Sequence, residues 1–261
     1  MNKTILITGA TSGIGRSIAA RFAKEGYTVC ITGRREERLD EFKKTLEAEF
    51  NAKVITLAFD IRNRKQVEIA MSTLKTKVDK IDILVNNAGL AAGLATIDEG
   101  NIDDWEQMID TNVKGLLYIT RQIAPMMRER ATGHIINIGS TAGKQVYKNG
   151  NVYCATKFAV EALNQAMRID LLNYGIKVTA INPGMTETEF SLVRFKGDEE
   201  RAGNMYAGIN ALKGEDIADI VWFTATLPPH VCINDLTVTC LTQASSFYGI
   251  KEAERVKPLN P

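Results

Sequence analysis

Residues 3–23 constrain this chain more than any other stretch. Positions 3–8 read Lys-Thr-Ile-Leu-Ile-Thr, a short run suited to a buried strand, and Gly9-Ala-Thr-Ser-Gly13-Ile-Gly15 follows without a break. Behind the glycines, Ile14, Ile18, Ala19, Phe22 and Ala23 recur at the spacing of a helix packed by one face on a sheet. Strand, glycine turn and helix bring backbone N–H groups and the positive end of a helix dipole to one point, an arrangement that receives a pyrophosphate. The spacing is G-x-x-x-G-x-G rather than G-x-G-x-x-G. Nor is it a P-loop, which would need glycine and lysine at positions 14 and 15.

The same alternation continues downstream. Strands are expected at 27–32, 53–59, 81–85, 134–138, 176–181 and 234–240, with helices at about 36–49, 65–78, 102–129, 152–173 and 216–226. Short joins between them predict an α/β fold: a Rossmann-type doubly wound parallel sheet of about seven strands with helices on both faces. We read residues 1–261 as a single dinucleotide-binding and catalytic domain. The polar stretch at about 185–212, after a strand's carboxyl end, has the length of a substrate lid. Pro125 is expected to kink or shorten the long helix. The last twenty residues read as a tail.

Composition excludes several classes. The 32 basic and 31 acidic residues leave a net charge of +1, without the clustered basic face a nucleic-acid partner needs. No apolar run approaches the ~20 residues of a membrane span, and the apolar start is too short for a signal peptide. Cys30, Cys154, Cys232 and Cys240 lack C-x-x-C spacing and fit reduced thiols of a cytoplasmic protein. With only His134 and His230 present, neither a metal site nor a Ser-His-Asp triad is expected. Gly139-Ser140-Thr-Ala-Gly143 is likewise not the G-x-S-x-G of a serine hydrolase.

Polar motifs cluster at the strands' carboxyl ends, at 9–15, 33–35, 60, 86–89, 139–140 and 182–188, where ligands bind on such a sheet. Tyr153 and Lys157, at i and i+4, share a helix face thirteen residues after Ser140. Alone, the pair fits a solvated surface couple. An ammonium beside a phenol would also favour phenolate and so make a base that exchanges a proton with an alcohol or carbonyl oxygen.

Taken together, the motifs resemble those of the short-chain dehydrogenase/reductase family, over nearly the whole chain and in the family's order. Thr8-Gly9-Ala-Thr-Ser-Gly13-Ile-Gly15 matches the cofactor turn, Asp60 the adenine-contacting acid, and Asn86-Asn87-Ala88-Gly89 the element bordering the cofactor. Asn112, Ser140, Tyr153 and Lys157 match the catalytic tetrad, and Pro183-Gly184 the turn beside the nicotinamide. The resemblance implies an oxidoreductase in which Tyr153 is the general acid/base and Ser140 orients the substrate oxygen. Lys157 would lower the tyrosine's pKa and hold the nicotinamide ribose. Asn112 would support a water that links Lys157 to solvent. Implied cofactor contacts also include Thr11, Ser12, Ile14, Ile61, Thr186 and Thr188. The family's frequent pairing of its two long helices implies a homotetramer.

Cofactor choice follows from charge. An NAD site needs a carboxylate at the second strand's end, where this chain has Gly33 followed by Arg34 and Arg35. Glycine leaves room, and a guanidinium suits a 2′-phosphate, so NADP is expected. As a mere solvated pair, two cations at a helix start would oppose the macrodipole. Some family members carry a basic residue where this chain has Ser12.

Within the family, segments 84–90, 108–112, 134–143, 150–153 and 188–198 are similar to the bacterial NADP-dependent 3-hydroxy acid dehydrogenases, which act on serine, allo-threonine and 3-hydroxypropionate-type acids. The chain departs at Met185-Thr-Glu-Thr188, one residue shorter. A carboxylate substrate wants a cation in the lid. Arg194 is the first candidate, then Lys196, with Gln145 as a polar contact; solvated loop charges are the competing reading. Alternatives are a reductase of 3-oxoacyl, sugar or steroid carbonyls, against which the polar lid speaks, and a non-catalytic NADP-binding sensor.

Overall fold

The structure, a computed structural model, describes residues 3–256. Its centre is built from short strands, largely buried except for the edge strand at 235–238. β1 (Thr4–Ile7), β2 (Thr28–Gly33), β3 (Val54–Ala58) and β4 (Ile83–Asn86) are followed by β5 (Gly133–Ile138), β6 (Ile176–Pro183) and β9 (Asp235–Val238). They form one seven-stranded sheet in the order β3-β2-β1-β4-β5-β6-β9, with every neighbouring pair parallel. The expected sheet is thus present. Two further strands, β7 (Thr186–Glu187) and β8 (Leu212–Lys213), make a separate two-stranded ladder that brackets the long polar segment.

Alternation of side chains along each strand divides the core between the two faces. Ile5 and Ile7 of β1 join Val29 and Ile31 on one face, under α1 (Gly13–Lys24), α2 (Glu36–Phe50) and α9 (Gly214–Thr226). Leu6 and Cys30 point the other way, under α3 (Arg64–Lys75), α5 (Leu116–Glu129) and α6 (Asn151–Asp170). Phe22 of α1, fully buried, meets Tyr27 and Trp222 edge-on at 5.0 and 5.2 Å between ring centroids.

Three sequence expectations are corrected. The stretch 102–129 is not one regular helix. α4 (Ile102–Ile109) passes into a π-helical turn, Asp110–Gly115, before α5 begins. α5 nevertheless continues through Pro125 to Glu129, so the irregularity lies at Asn112 and not at the proline. Within β5, Asn137 at 0% exposure is satisfied by Asn86 and Asn164 at 2.9 Å each. Of the last twenty residues, read as a tail, 257–261 lie outside the described residues; before them Gln243 pairs with Gly249 and accepts from the Met185 N–H.

Strand order reverses between β1 and β4. Such a switch point opens a crevice at the carboxyl ends, and the motifs converge there. α7 (Phe190–Arg194) and α8 (Glu199–Asn204) arch over it. No described helix is long and apolar enough to cross a membrane.

His134 on β5 gives the fold an acid sensitivity. Its ring Nε2 meets the Thr179 hydroxyl at 2.7 Å while Nδ1 is buried without a partner. Burial, then the Lys177 charge, pushes its pKa down to about 3. The folded state therefore holds the imidazole neutral while the unfolded chain takes up a proton below about pH 6.5. Stability present above that pH is lost as pH falls, by about 1.4 kcal/mol per unit from this group. Urea denaturation across that range should show His134→Gln flattening the pH dependence by about one proton; an unchanged slope would contradict the assignment.

Candidate active site

The crevice is a cavity of about 470 Å³ running from Arg34 and Asp60 at one end to Tyr153 and Arg194 at the other. Glycines set its floor. Gly9, at φ +68°, lies so close to β4's extension that a Cβ would stand 2.8 Å from the Ala88 Cα. Gly15 faces away from the cavity, and its Cβ would strike the Gly9 carbonyl oxygen at 2.5 Å. Side chains lock the same junction. Asn87 Nδ2 donates to the carbonyls of Thr8 and Gly9 at 2.8 and 3.0 Å, and the Thr8 hydroxyl accepts from the N–H groups of Asn87 and Ala88.

Most sequence-predicted positions line this cavity. Gly9, Thr11, Ser12, Gly13 and Ile14 do, as do Arg34, Arg35, Asp60 and Ile61. So do Asn87, Ala88, Gly89, Ser140, Tyr153, Lys157, Pro183, Gly184, Thr186, Thr188 and Arg194. Gly15 and Asn112 stand behind the wall. Gly33 leaves the opening Arg34 and Arg35 need, since a Cβ there would lie 2.6 Å from Thr11 Cγ2. Arg35 Nη2 donates to the hydroxyls of Thr11 and Ser12, and Nη1 reaches Glu189 at 3.4 Å. The Arg62 guanidinium grips Asp60 at 2.6–3.0 Å and holds its carboxyl below the usual range, with the Arg34 charge adding to the effect.

At the other end β5 delivers Ser140, whose N–H donates to Asn182 Oδ1 at 3.1 Å and whose hydroxyl oxygen accepts from the Ala142 N–H. Tyr153, from the first turn of α6, lines the same cavity beside that hydroxyl. One turn on, Lys157 Nζ donates to the Ile138 carbonyl at 3.0 Å, and burial pushes its pKa down to about 8. Asn112 accepts from the Leu90 N–H and donates to the Leu90 carbonyl, both at 2.8 Å, and to the Thr156 hydroxyl at 3.0 Å. Both amide protons are engaged, so the Asn112 side chain clamps residue 90. The π-helical turn lets it reach that backbone.

Two cations stand near the Tyr153 ring. Burial pushes the phenol up; the Arg194 charge, then the neighbouring Ser140 hydroxyl, pull it down, and nearby Cys154 adds a smaller upward push. The Arg194 guanidinium carbon lies 5.0 Å from the Tyr153 ring centroid, against 5.9 Å for Lys157 Nζ. Arg194 is only 8% exposed, boxed by Tyr147, Tyr153 and Phe190. Its Nη2 donates to the Tyr147 hydroxyl at 2.6 Å, its Nε is buried without a partner, and no carboxylate pairs with it among the described residues. Lys196 and Gln145 do not join it: Lys196 pairs with Asp104 at 3.0 Å, and Gln145 turns toward the Ser246 N–H.

Sequence reasoning missed Tyr147, Phe190, Tyr206 and Gln243. Tyr206 donates to the Thr186 carbonyl and meets the Ser191 hydroxyl at 2.7 Å, tying α7 to β7. Gln243 Oε1 accepts from the Met185 N–H at 2.7 Å, in space open only because residue 184 is glycine. Phe190, Val193 and Met205 also line the cavity, so the 185–212 segment adds apolar surface beside its polar Thr186, Thr188 and Arg194.

A phenol between a serine hydroxyl and a cation, beside a glycine-floored cleft, can exchange a proton at an oxygen while a dinucleotide lies alongside. Residues 3–198 match the family model described as short chain dehydrogenase. This chain belongs to the short-chain dehydrogenase family and is an oxidoreductase of that class. It is 50% identical over 247 residues to the NADP-dependent 3-hydroxy acid dehydrogenase YdfG of Salmonella typhi, covering 94% of this chain and 97% of that one. It is 43% identical over 251 residues to the serine 3-dehydrogenase of Rhizobium radiobacter, covering 96% and 98%. Among solved structures, the closed form of serine dehydrogenase complexed with NADP+ superposes with a TM-score of 0.89 at 46% identity, over 95% of this chain and 99% of that one.

Replacing Gln243 should loosen the segment beside Gly184. Gln243→Ala leaves the Met185 N–H unpaired at a cost of about 1–3 kcal/mol, so amide exchange over 184–188 should quicken roughly tenfold or more while the sheet's is unchanged. Exchange mass spectrometry showing no local change would contradict this role.

Proposed function

We propose that this oxidoreductase moves hydride between NADP(H) and the β-carbon of a small 3-hydroxy acid of the serine, allo-threonine or 3-hydroxypropionate type. Arg194 carries the reading. A buried guanidinium without a counter-ion is costly, and a ligand carboxylate would complete it. It stands beside the Tyr153 phenol, at a separation that suits an acid whose hydroxyl is on the β-carbon.

The residues fit the dinucleotide. Gly9 and Gly13 open the turn, the α1 N-terminus favours phosphate, and Thr11, Ser12 and Ile14 border it. Arg34 and Arg35 would take the 2′-phosphate, and Asp60 with Ile61 would border the adenine. Asn87, Ala88, Gly89, Pro183, Gly184, Thr186 and Thr188 would flank the nicotinamide half. Bound there, NADP(H) supplies the acceptor or donor of hydride. Tyr153 would take the proton from the substrate hydroxyl, or return it to the carbonyl oxygen, while Ser140 orients that oxygen. Lys157 would hold the ribose hydroxyls, and Asn112 would keep residue 90 in place behind them. Residues 185–212 would act as the lid of a single catalytic unit.

We further infer a cytoplasmic homotetramer. The four cysteines are free, and Phe158 and Ile169 leave apolar surface on the long helix α6, as Leu117 does on α5.

The decisive comparison is kcat/KM with NADP+ for 3-hydroxypropionate against 1,3-propanediol. Arg194→Gln should lower the preference for the acid roughly ten- to a hundredfold, the scale of a hydrogen bond to a charged group. An equal loss on both alcohols, or no loss, would contradict the reading.

A further inference from the structure

The cation nearest the Tyr153 ring is the same one proposed to receive the substrate's carboxylate. The groups packed on that phenol come from four directions. Its own helix offers Lys157, 5.9 Å from the ring centroid, and Cys154. The end of β5 and the loop beyond it offer Ser140 and Tyr147. Residues 90–92 and α4 meet it with Leu90, Ala91, Ala92 and Met108, all apolar, while Asp104 of α4 is held by Lys196. Only α7 brings a charge across to it: Arg194, 5.0 Å from the ring centroid and without a carboxylate partner among the described residues.

We propose that the substrate's carboxylate, on pairing with Arg194, withdraws that cation's field from the Tyr153 hydroxyl, so an acidic substrate adjusts the protonation of the group it is about to use. Two effects act in one direction. Neutralised by its partner, the guanidinium no longer favours phenolate, and the arriving carboxylate itself opposes a second negative charge nearby. Tyr153 then holds its proton more firmly, which suits donation to the carbonyl oxygen of a 3-oxo acid. The proton leaves the phenol for that oxygen as hydride reaches the carbonyl carbon, and the phenolate is later reprotonated from solvent. A neutral alcohol or ketone in the same pocket leaves the field of Arg194 in place. Arg194 thereby acts as a positioning residue for charge as well as for substrate.

The inference rests on Arg194 receiving the carboxylate, and its test reads Tyr153 directly. Enzyme carrying ring-labelled tyrosine and saturated with NADP+ is titrated by carbon NMR, the resonance being assigned with Tyr153→Phe. Propionate, which cannot be oxidised at the β-carbon in this reaction, is compared with its neutral counterpart propionamide. Propionate should raise the titration midpoint by about one pH unit or more, as expected for loss of an opposite charge at this range, and propionamide should not. In Arg194→Gln the midpoint should start high and ignore propionate; Arg194→Lys, which keeps the charge, should restore part of the response. A midpoint unmoved by propionate in the unaltered enzyme overturns the inference. If Arg194→Gln also erases the preference for 3-hydroxypropionate, the carboxylate reading stands and only the coupling to Tyr153 falls.

Discussion

Everything at the ligand end of this molecule depends on how closely two backbones approach where β1 and β4 part. A Cβ on Gly9 would lie 2.8 Å from the Ala88 Cα, and the Asn87 side chain bridges to the carbonyls of Thr8 and Gly9. That contact holds the two halves of the sheet at the spacing that leaves a crevice above them. From one side come the glycine turn and the start of α1; from the other come Ser140, Tyr153 and Lys157. No loop could fix these groups with comparable accuracy, because each sits at the end of a strand or in the first turns of a helix anchored in the core.

Above the crevice, charge decides the chemistry. Four cationic side chains reach the cavity's nucleotide end or its border, and their partners differ: Arg62 is held by Asp60. Arg35 and Arg38 share Glu189, and Arg34 faces the opening. At the far end Lys157 is drawn toward neutrality by burial, whereas the Arg194 guanidinium stands among three aromatic rings. Aromatic faces and a phenol hydroxyl soften the cost of burying that charge but do not cancel it. A buried guanidinium that no carboxylate pairs with among the described residues is what supports the proposed preference for an acid.

Local patterns made much of this legible in the sequence. The glycine turn, the alternating strands and helices, and the i, i+4 pair of Tyr153 and Lys157 are contiguous features, and contiguous features declare their geometry. What stayed hidden depends on distant partners. Arg194 could be named from the sequence as a candidate partner for a carboxylate, but its burial could not; it is buried because Tyr147, on a separate loop, supplies a hydroxyl and Tyr153 and Phe190 close around it. Gln243 follows the last strand with no periodicity to mark it, yet it holds the Met185 backbone. Asn112 owes its reach to a π-helical turn, a shift of hydrogen-bond register that leaves no compositional trace, while the conspicuous Pro125 changes little. The cavity face of residues 185–212 mixes Phe190, Val193 and Met205 with Thr186, Thr188 and Arg194, a selection of inward side chains that no local period marks.

The most direct test is a crystal structure of the complex with NADP+ and a non-oxidisable analogue of a 3-hydroxy acid, such as malonate. One carboxylate should make paired hydrogen bonds with the Arg194 guanidinium, with the opposite end of the molecule between the Ser140 and Tyr153 hydroxyls. A carboxylate turned away from Arg194, with the guanidinium still boxed by its aromatic rings, would contradict the assignment of this cation as the substrate's anchor.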